Sequence, residues 1–448
     1  MKKALFLFAM LLALSAGAAT FSSGNPSTTN NDDSCDIAVM PAATLLLPYF
    51  EVDINAPQST ALTTLFTVVN TGQYPQIARV TLWTDLGYPV TNFNLFLTGY
   101  DVQAINLYDV LARSVIAPPS GTSSSIEPGF RSLPNNSNPN FAPTAAADCE
   151  IGPGPIPGAI IAEIRTALTS GVNTSCGSAR IGLVHANAIG YATIDVVKTC
   201  SFHFPDTAEY YNDLLYDNVL TGDFQQINPN ATTGNYASGN PLVHIRAIPE
   251  GGAAGVVVAT NLPYTFYDRY TPRTTPAMDR RQPLPAAFTA RYIQGGPSAF
   301  NTNFQIWREG VTGAGATCSD YIKNLNSAAG VAEIIRFDEH ENPYGFAPCM
   351  ILCPPNTIVL PTASSTPTSA GTYPVMAGTD IGGWMYLNLT NSGSSAYSKA
   401  RHSQNWVVVD MFAEGRYSVG FDATMLANGC TAAPAVGAPI GPGPNSTP

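Results

Sequence analysis

The sequence predicts an all-β fold: two immunoglobulin-like antiparallel β-sandwich domains with minor helical content and disulfides. Three observations lead there. Apolar and polar residues alternate with period two along several short runs, the mark of strands with one buried face. Turn sequences separate those runs at short intervals. Eight cysteines follow an export signal, the pattern of a disulfide framework.

In chain order, residues 1–19 read as a cleavable signal peptide. Lys2 and Lys3 precede an apolar run over 4–14, and Ala16 and Ala18 give the A-x-A spacing of a cleavage site. The run is too short for a bilayer, which takes about 20 apolar residues. Residues 20–34 are polar and form a disordered lead-in. Residues 35–113 carry the N-terminal sandwich strands. Thr64-Leu65-Phe66-Thr67-Val68-Val69 stops at the turn Asn70-Thr71-Gly72. Ala78, Val80 and Leu82 alternate with Arg79, Thr81 and Trp83, and Phe93, Leu95 and Leu97 alternate again.

Residues 114–157 are rich in Pro, Ser, Asn and Gly and read as a linker or long loop, with a domain boundary there. Residues 158–168 fit a short helix or a strand. Residues 181–197 read as a hairpin turning near Asn187. Asp206 or Thr207 caps a helix with Tyr211, Leu214 and Leu215 on one face. Further strands are predicted around 242–248, 256–259, 288–293, 304–308, 333–337 and 385–389, so that 158–430 forms the second β-rich region. Residues 431–448, rich in Pro, Gly and Ala, are a flexible tail.

One internal echo bears on the two-domain reading. Residues 65–72 resemble 386–393, and each stretch precedes a strand containing Trp, 78–83 and 406–409. Two sandwiches of similar plan would produce this, as would two unrelated hairpins with the same turn chemistry.

Charged residues make up 11% of the chain, against about 25% in typical soluble domains. The net charge is −11, and removal of Lys2 and Lys3 takes it to −13. That balance excludes nucleic-acid binding through a general phosphate field. No basic amphipathic helix is present for an anionic membrane surface, and no later segment has the length of a membrane span. The expected location is secreted or periplasmic, in association with the cell surface or free of it.

The cysteines are Cys35, Cys149, Cys176, Cys200, Cys318, Cys349, Cys353 and Cys430. The expected pairings are local: Cys176 with Cys200, Cys318 with Cys349 or Cys353, and Cys35 with Cys430 across the folded region. Cys349 and Cys353 are spaced too widely for a zinc knuckle and have no second pair beside them.

No H-E-x-x-H, G-x-S-x-G or P-loop motif occurs, and nothing asks for a cofactor. Among the histidines, His244 lies inside an apolar run and reads as a strand residue. Asp338 and His340, in a dense polar stretch, would share a strand face and form a weak metal candidate; the alternative is a solvated hairpin tip. The other anomaly is basic and aromatic. Arg269, Arg273, Arg280, Arg281 and Arg291 are five of fifteen arginines, with Tyr264, Phe266, Tyr267 and Tyr270 beside them. Planar guanidinium forks and tyrosine faces suit an acidic glycan or a protein partner. Alternatively, these arginines serve loop carbonyls and internal ion pairs. The leading expectation is a non-catalytic exported protein that binds a glycan or protein partner. A secreted hydrolase, glycosidase-like with two carboxylates, stands as the alternative, since such pairs meet only in the fold.

Overall fold

The structure is a computed structural model. It describes residues 37–115, 156–205, 207–229, 236–247, 281–282, 284–285, 287–308, 318, 331–346, 357–361, 381–391, 404–413 and 417–427. Nine strands come first: β1 (Thr44–Val52), β2 (Thr63–Asn70), β3 (Gln76–Thr84), β4 (Pro89–Leu97), β5 (Val102–Asn106), β6 (Ala188–Val197), β7 (Leu220–Asn228), β8 (Tyr236–Pro241) and β9 (Val243–Ile245). They form two antiparallel sheets. Sheet I has the order β4-β3-β6-β1-β9 and sheet II the order β5-β2-β7-β8.

Nine more follow: β10 (Ala287–Ile293), β11 (Phe300–Arg308), β12 (Val331–Asp338), β13 (Pro343–Phe346), β14 (Thr357–Pro361), β15 (Gly382–Asn391), β16 (Asn405–Ala413), β17 (Tyr417–Asp422) and β18 (Thr424–Ala427). Sheet III runs β13-β12-β15-β10-β18 and sheet IV runs β14-β11-β16-β17. Adding nine to every strand number of sheets I and II gives sheets III and IV. In the first set β1 packs on β2 and β7; in the second, β10 packs on β11 and β16. The chain is all-β, in several antiparallel sheets with few helices.

The repeat extends to the residues that set it. Thr64, fully buried on β2, accepts from the Glu51 N–H at 3.1 Å and donates to the Glu51 carbonyl at 3.2 Å. Thr302 on β11 makes the same two bonds to Ile293 of β10, at 3.0 and 2.8 Å. Beside each clamp an aromatic residue pairs across the ladder with a glycine, Phe50 with Gly190 and Tyr292 with Gly383. A Cβ on Gly190 would stand 2.0 Å from the Trp83 carbonyl oxygen and 2.8 Å from the Phe50 ring. A Cβ on Gly383 would stand 1.9 Å from the Phe337 carbonyl oxygen and 2.7 Å from the Tyr292 hydroxyl. Glycine is what lets ring and strand approach together. The β3–β4 turn likewise recurs between β12 and β13. The side chains of Thr84 and Asp338 accept from the N–H four residues on, Tyr88 at 3.1 Å and Asn342 at 2.9 Å. Gly87 and Glu341 take the same left-handed position, at φ 78° and 64°.

Several expectations are corrected by this pairing. The strand order differs from the A-B-E-D and C-F-G sheets of an immunoglobulin domain. Residues 35–113 do not close a sandwich alone, because β6, β7 and β9 from beyond residue 157 complete both sheets. The echo aligns β2 with β15 and β3 with β16, whereas pairing makes β11 and β12 their counterparts. The echoed segments are therefore not counterparts in the strand plan. No hairpin turns at Asn187: residues 181–187 are loop, and β6 is a single strand.

The helices close the first set. Asn106 caps α1 (Leu107–Arg113) by accepting from the Tyr108 N–H at 2.9 Å. Residues 158–168 are helical, in α2 (Gly158–Ser170), which buries Ile161, Ile164 and Leu168 and ends at Gly171, φ 65°. Arg165 of α2 donates to the α1 carbonyls of Leu111 and Ala112, at 2.5 and 2.7 Å. Thr207 stands at the cap position of α3 (Ala208–Asp213). No helix among the described residues is long and apolar enough to cross a membrane. The predicted leader and the predicted tail lie outside the described residues.

Both strand sets contribute to one apolar core. At their junction the Trp307 ring stands edge-on to Tyr191, centroids 5.9 Å apart, and Gln305 donates to Gln226 at 2.7 Å. A disulfide joins Cys176, ahead of β6, to Cys318, beyond β11, with Cα atoms 5.4 Å apart. The expected partners of both cysteines are therefore corrected. Cys200 is also disulfide-bonded, to a different partner. Cys35, Cys149, Cys349, Cys353 and Cys430 lie outside the described residues.

The glycine contacts make a direct prediction. Gly383→Ala forces apart the Phe337 carbonyl and the Tyr292 ring, and lowers stability by about 1–3 kcal/mol. Urea denaturation checks this; an unchanged midpoint contradicts the close approach.

Candidate binding surface

Sheet I has one apolar face and one polar face, and both are buried. On the polar face, Asp195 of β6 accepts from the Thr44 hydroxyl at 2.5 Å, the Tyr210 hydroxyl at 2.6 Å and the Arg281 guanidinium at 2.9 Å. All four residues have at most 1% of their surface exposed. Arg79 of β3, also fully buried, meets Asp213 at 3.0 Å and lies 5.3 Å from the Tyr210 ring centroid. Two hydroxyl donors and one guanidinium thus satisfy the Asp195 carboxylate away from water.

This network takes one residue out of the basic–aromatic stretch. Arg281 points inward and its charge belongs to Asp195. Tyr264, Tyr267, Arg269, Tyr270, Arg273 and Arg280 lie outside the described residues. Arg291, from the same run, points outward on β10, and its side chain is 47% exposed.

Asp338 and His340 do not share a strand face, because β12 ends at Asp338 and His340 lies in the turn. One Asp338 oxygen accepts from the His340 and Asn342 N–H groups at 2.8 and 2.9 Å, and the other from the Asn342 side chain at 2.7 Å. The Asn342 side-chain bond is the main cause holding this carboxyl below its ordinary pKa. Both oxygens thus serve the turn, as Thr84 does in its counterpart. No group of three His, Cys, Asp or Glu able to hold a metal occurs among the described residues.

Three of the histidines test for catalysis. Burial pushes His244 down to about 4, and its Nε2 accepts from the Gly222 N–H at 3.2 Å, so it is a neutral strand residue. His185 pairs with Asp85 at 2.7 Å, and Asp85 also accepts from the Leu183 N–H at 3.0 Å, which ties down the loop before β6. Ser201, His203 and Asp213 do converge. The Ser201 hydroxyl donates to Asp213, and the His203 ring nitrogen contacts the same oxygen at 2.9 Å. A nucleophilic serine needs the imidazole between itself and the acid. Here serine and histidine both go to the acid, so the set has no activated nucleophile.

Two carboxylates on sheet IV are perturbed. Asp410 of β16 is 4% exposed, among Ser238, Asn240 and Gln305, and burial lifts it to about 6 against those donors. Asp422 of β17 lies on the same face, opposite Val408. Burial raises it to about 6, against a 3.1 Å bond from the Trp406 indole N–H. Asp410 is closed into the junction by neutral side chains of the other strand set, which separates this pair from the open cleft of a glycosidase.

The open chemistry lies on the outward face of sheet III. Arg291 and Trp384 are cross-strand neighbours, with the guanidinium 4.8 Å from the indole centroid. Glu339 bonds the same guanidinium. Trp384 is 41% exposed. Ile335, Phe337 and Tyr386, half-buried, continue the face. The result is an aromatic shelf bordered by one positive and one negative group. Its counterpart on sheet I is Trp83 stacked on Tyr191, centroids 5.4 Å apart, and there both rings are fully buried. The sequence carried a signal for this shelf: Trp384 and Tyr386 alternate with Met385 and Leu387, which puts two aromatics on the face opposite the core.

No family model, no curated protein and no solved structure matches the chain.

Two outcomes follow from the buried groups. Arg281→Ala leaves the Asp195 charge uncompensated and lowers stability by about 3–5 kcal/mol, measured by denaturant unfolding. A variant as stable as the parent contradicts the inward placement. Asp410 has a folded pKa above its unfolded one, so its folded form binds the proton more tightly. Its contribution to stability is present below about pH 4, is lost as pH rises to about 6, and changes no further above that. The stability difference between parent and Asp410→Asn should change across that window; a constant difference contradicts the perturbed group.

Proposed function

We propose that the chain is an exported, non-catalytic binding protein built from two sandwich domains of one plan, and that it holds its partner on the Trp384 shelf. The domains are β1–β9 and β10–β18, and their common strand order supports an internal duplication. One observation carries the functional reading. The aromatic face that is buried in the first strand set is open in the second, where Trp384 is 41% exposed. Large aromatics are left exposed at interaction sites more than elsewhere. The low charge and the eight cysteines support an extracytoplasmic setting.

The shelf suits two partners already expected from composition. A sugar ring stacks on a flat indole, with Arg291 and Glu339 beside it for hydroxyl and carboxylate groups. A protein surface uses the same residues as an anchor, since Trp and Arg dominate interface energetics. Trp384→Ala is the test, read by glycan-array binding and by capture of extracytoplasmic proteins. It should weaken binding by about 2 kcal/mol, roughly 30-fold, with the thermal midpoint unchanged. Binding unaffected by the substitution places the site elsewhere.

A further inference from the structure

The internal junction has two faces, and each has a counterpart by strand register that keeps part of its surface in water. On the sheet IV side, Gln305, Trp307, Val408 and Asp410 share one face, pinned there by their ladder pairing, and each is at most 4% exposed. The Thr64–Thr302 equivalence and the strand register make Thr67, Val69, Asp223 and Gln225 their counterparts on sheet II. Those residues lie on the outward face of sheet II: Asp223 and Gln225 are exposed, and Thr67 and Val69 partly so. Val102 is paired beside Val69 and is 45% exposed.

The first strand set presents Tyr191 to Trp307, Gln226 to Gln305, and Ser238 and Asn240 to Asp410. Their counterparts in the second set are Trp384, Met411, Val419 and Phe421. Val419 is 52% exposed, and Met411 and Phe421 partly so. Three polar positions of the internal junction are therefore apolar at their counterparts, of which Val419 is the most exposed. A face that is less polar than its buried counterpart, yet open to water, is suited to being covered.

We infer that the chain associates head to tail, the Trp384–Val419 face of one copy seating the outward face of sheet II of the next. This inference rests on the binding reading of the Trp384 shelf and names a second copy of this chain as the occupant. A contact of this kind is heterologous: each copy uses one face and keeps the other, so growth is open-ended unless the rotation closes a ring. Between copies, Trp384 takes the place of Tyr191, and Val69 of the next copy takes the place of Trp307.

Sedimentation velocity on the full processed chain, over a concentration series, tests this with two variants. The parent should show a series of oligomers that lengthens with concentration. Trp384→Asp destroys one face and Val69→Asp the other, so each variant alone should be monomeric. Mixed together they keep one intact face of each kind and should form a dimer that goes no further. A parent that stays monomeric at every concentration overturns the inference, as does a dimer formed by either variant alone. If the parent is monomeric while Trp384→Ala still loses a glycan or a captured protein, the shelf survives as a binding site and only the self-assembly falls.

Discussion

Asp195 sits in the middle of sheet I with no exposed surface, and its buried carboxylate is satisfied there by Thr44, Tyr210 and Arg281, which all donate to it. Those donors come from three places in the chain: the first strand, the helix after β6, and the segment leading into the second strand set. One buried carboxylate therefore fixes where the connection between the two sets crosses sheet I. The Tyr191–Trp307 contact and the Cys176–Cys318 bridge lie across the same junction. The open Trp384 shelf has meaning only against that frame, because its buried counterpart shows what covers such a face.

The two strand sets use one backbone plan with different side chains. The clamp threonines, the glycines under aromatic rings and the β3–β4 turn are held in common, and all of them constrain the backbone. The facing residues differ. Ser238 and Asn240 meet Asp410 in the interior, while their counterparts are apolar, Val419 half exposed and Phe421 packed against the core. Positions that close the ladders keep their chemistry, and positions that choose a neighbour change it. That division explains why the frame repeats while the sequence shows no clean period.

The strands were legible in the sequence where alternation was strict, as at Ala78, Val80 and Leu82 on β3. The opposite face of that strand was not. Arg79, Thr81 and Trp83 have the pattern of a solvated face, yet every residue of β3 is buried. Period two distinguishes an apolar face from a polar one; it says nothing about whether partners arrive from far along the chain to satisfy the polar side. Of the two roles the sequence allows Arg281, the internal ion pair holds, and no local pattern points to its partner because Asp195 is 86 residues away. Residues 114–157 read as a boundary because the composition changes there, but strand pairing across them is a three-dimensional fact. Among the site residues, Arg291 was visible within an arginine-rich run. Trp384 carries no mark of exposure in the sequence, because exposure is set by what fails to cover a face.

Mapping the disulfides of the protein purified without reductant tests this account most directly. A disulfide requires Cα atoms within about 7 Å, so a bridge between residues 142 positions apart reports how the two strand sets meet. Digestion without reduction, followed by mass spectrometry, should yield a peptide pair joined through Cys176 and Cys318. A bridge from Cys176 to Cys200 would contradict the junction, and with it the placement of the open face.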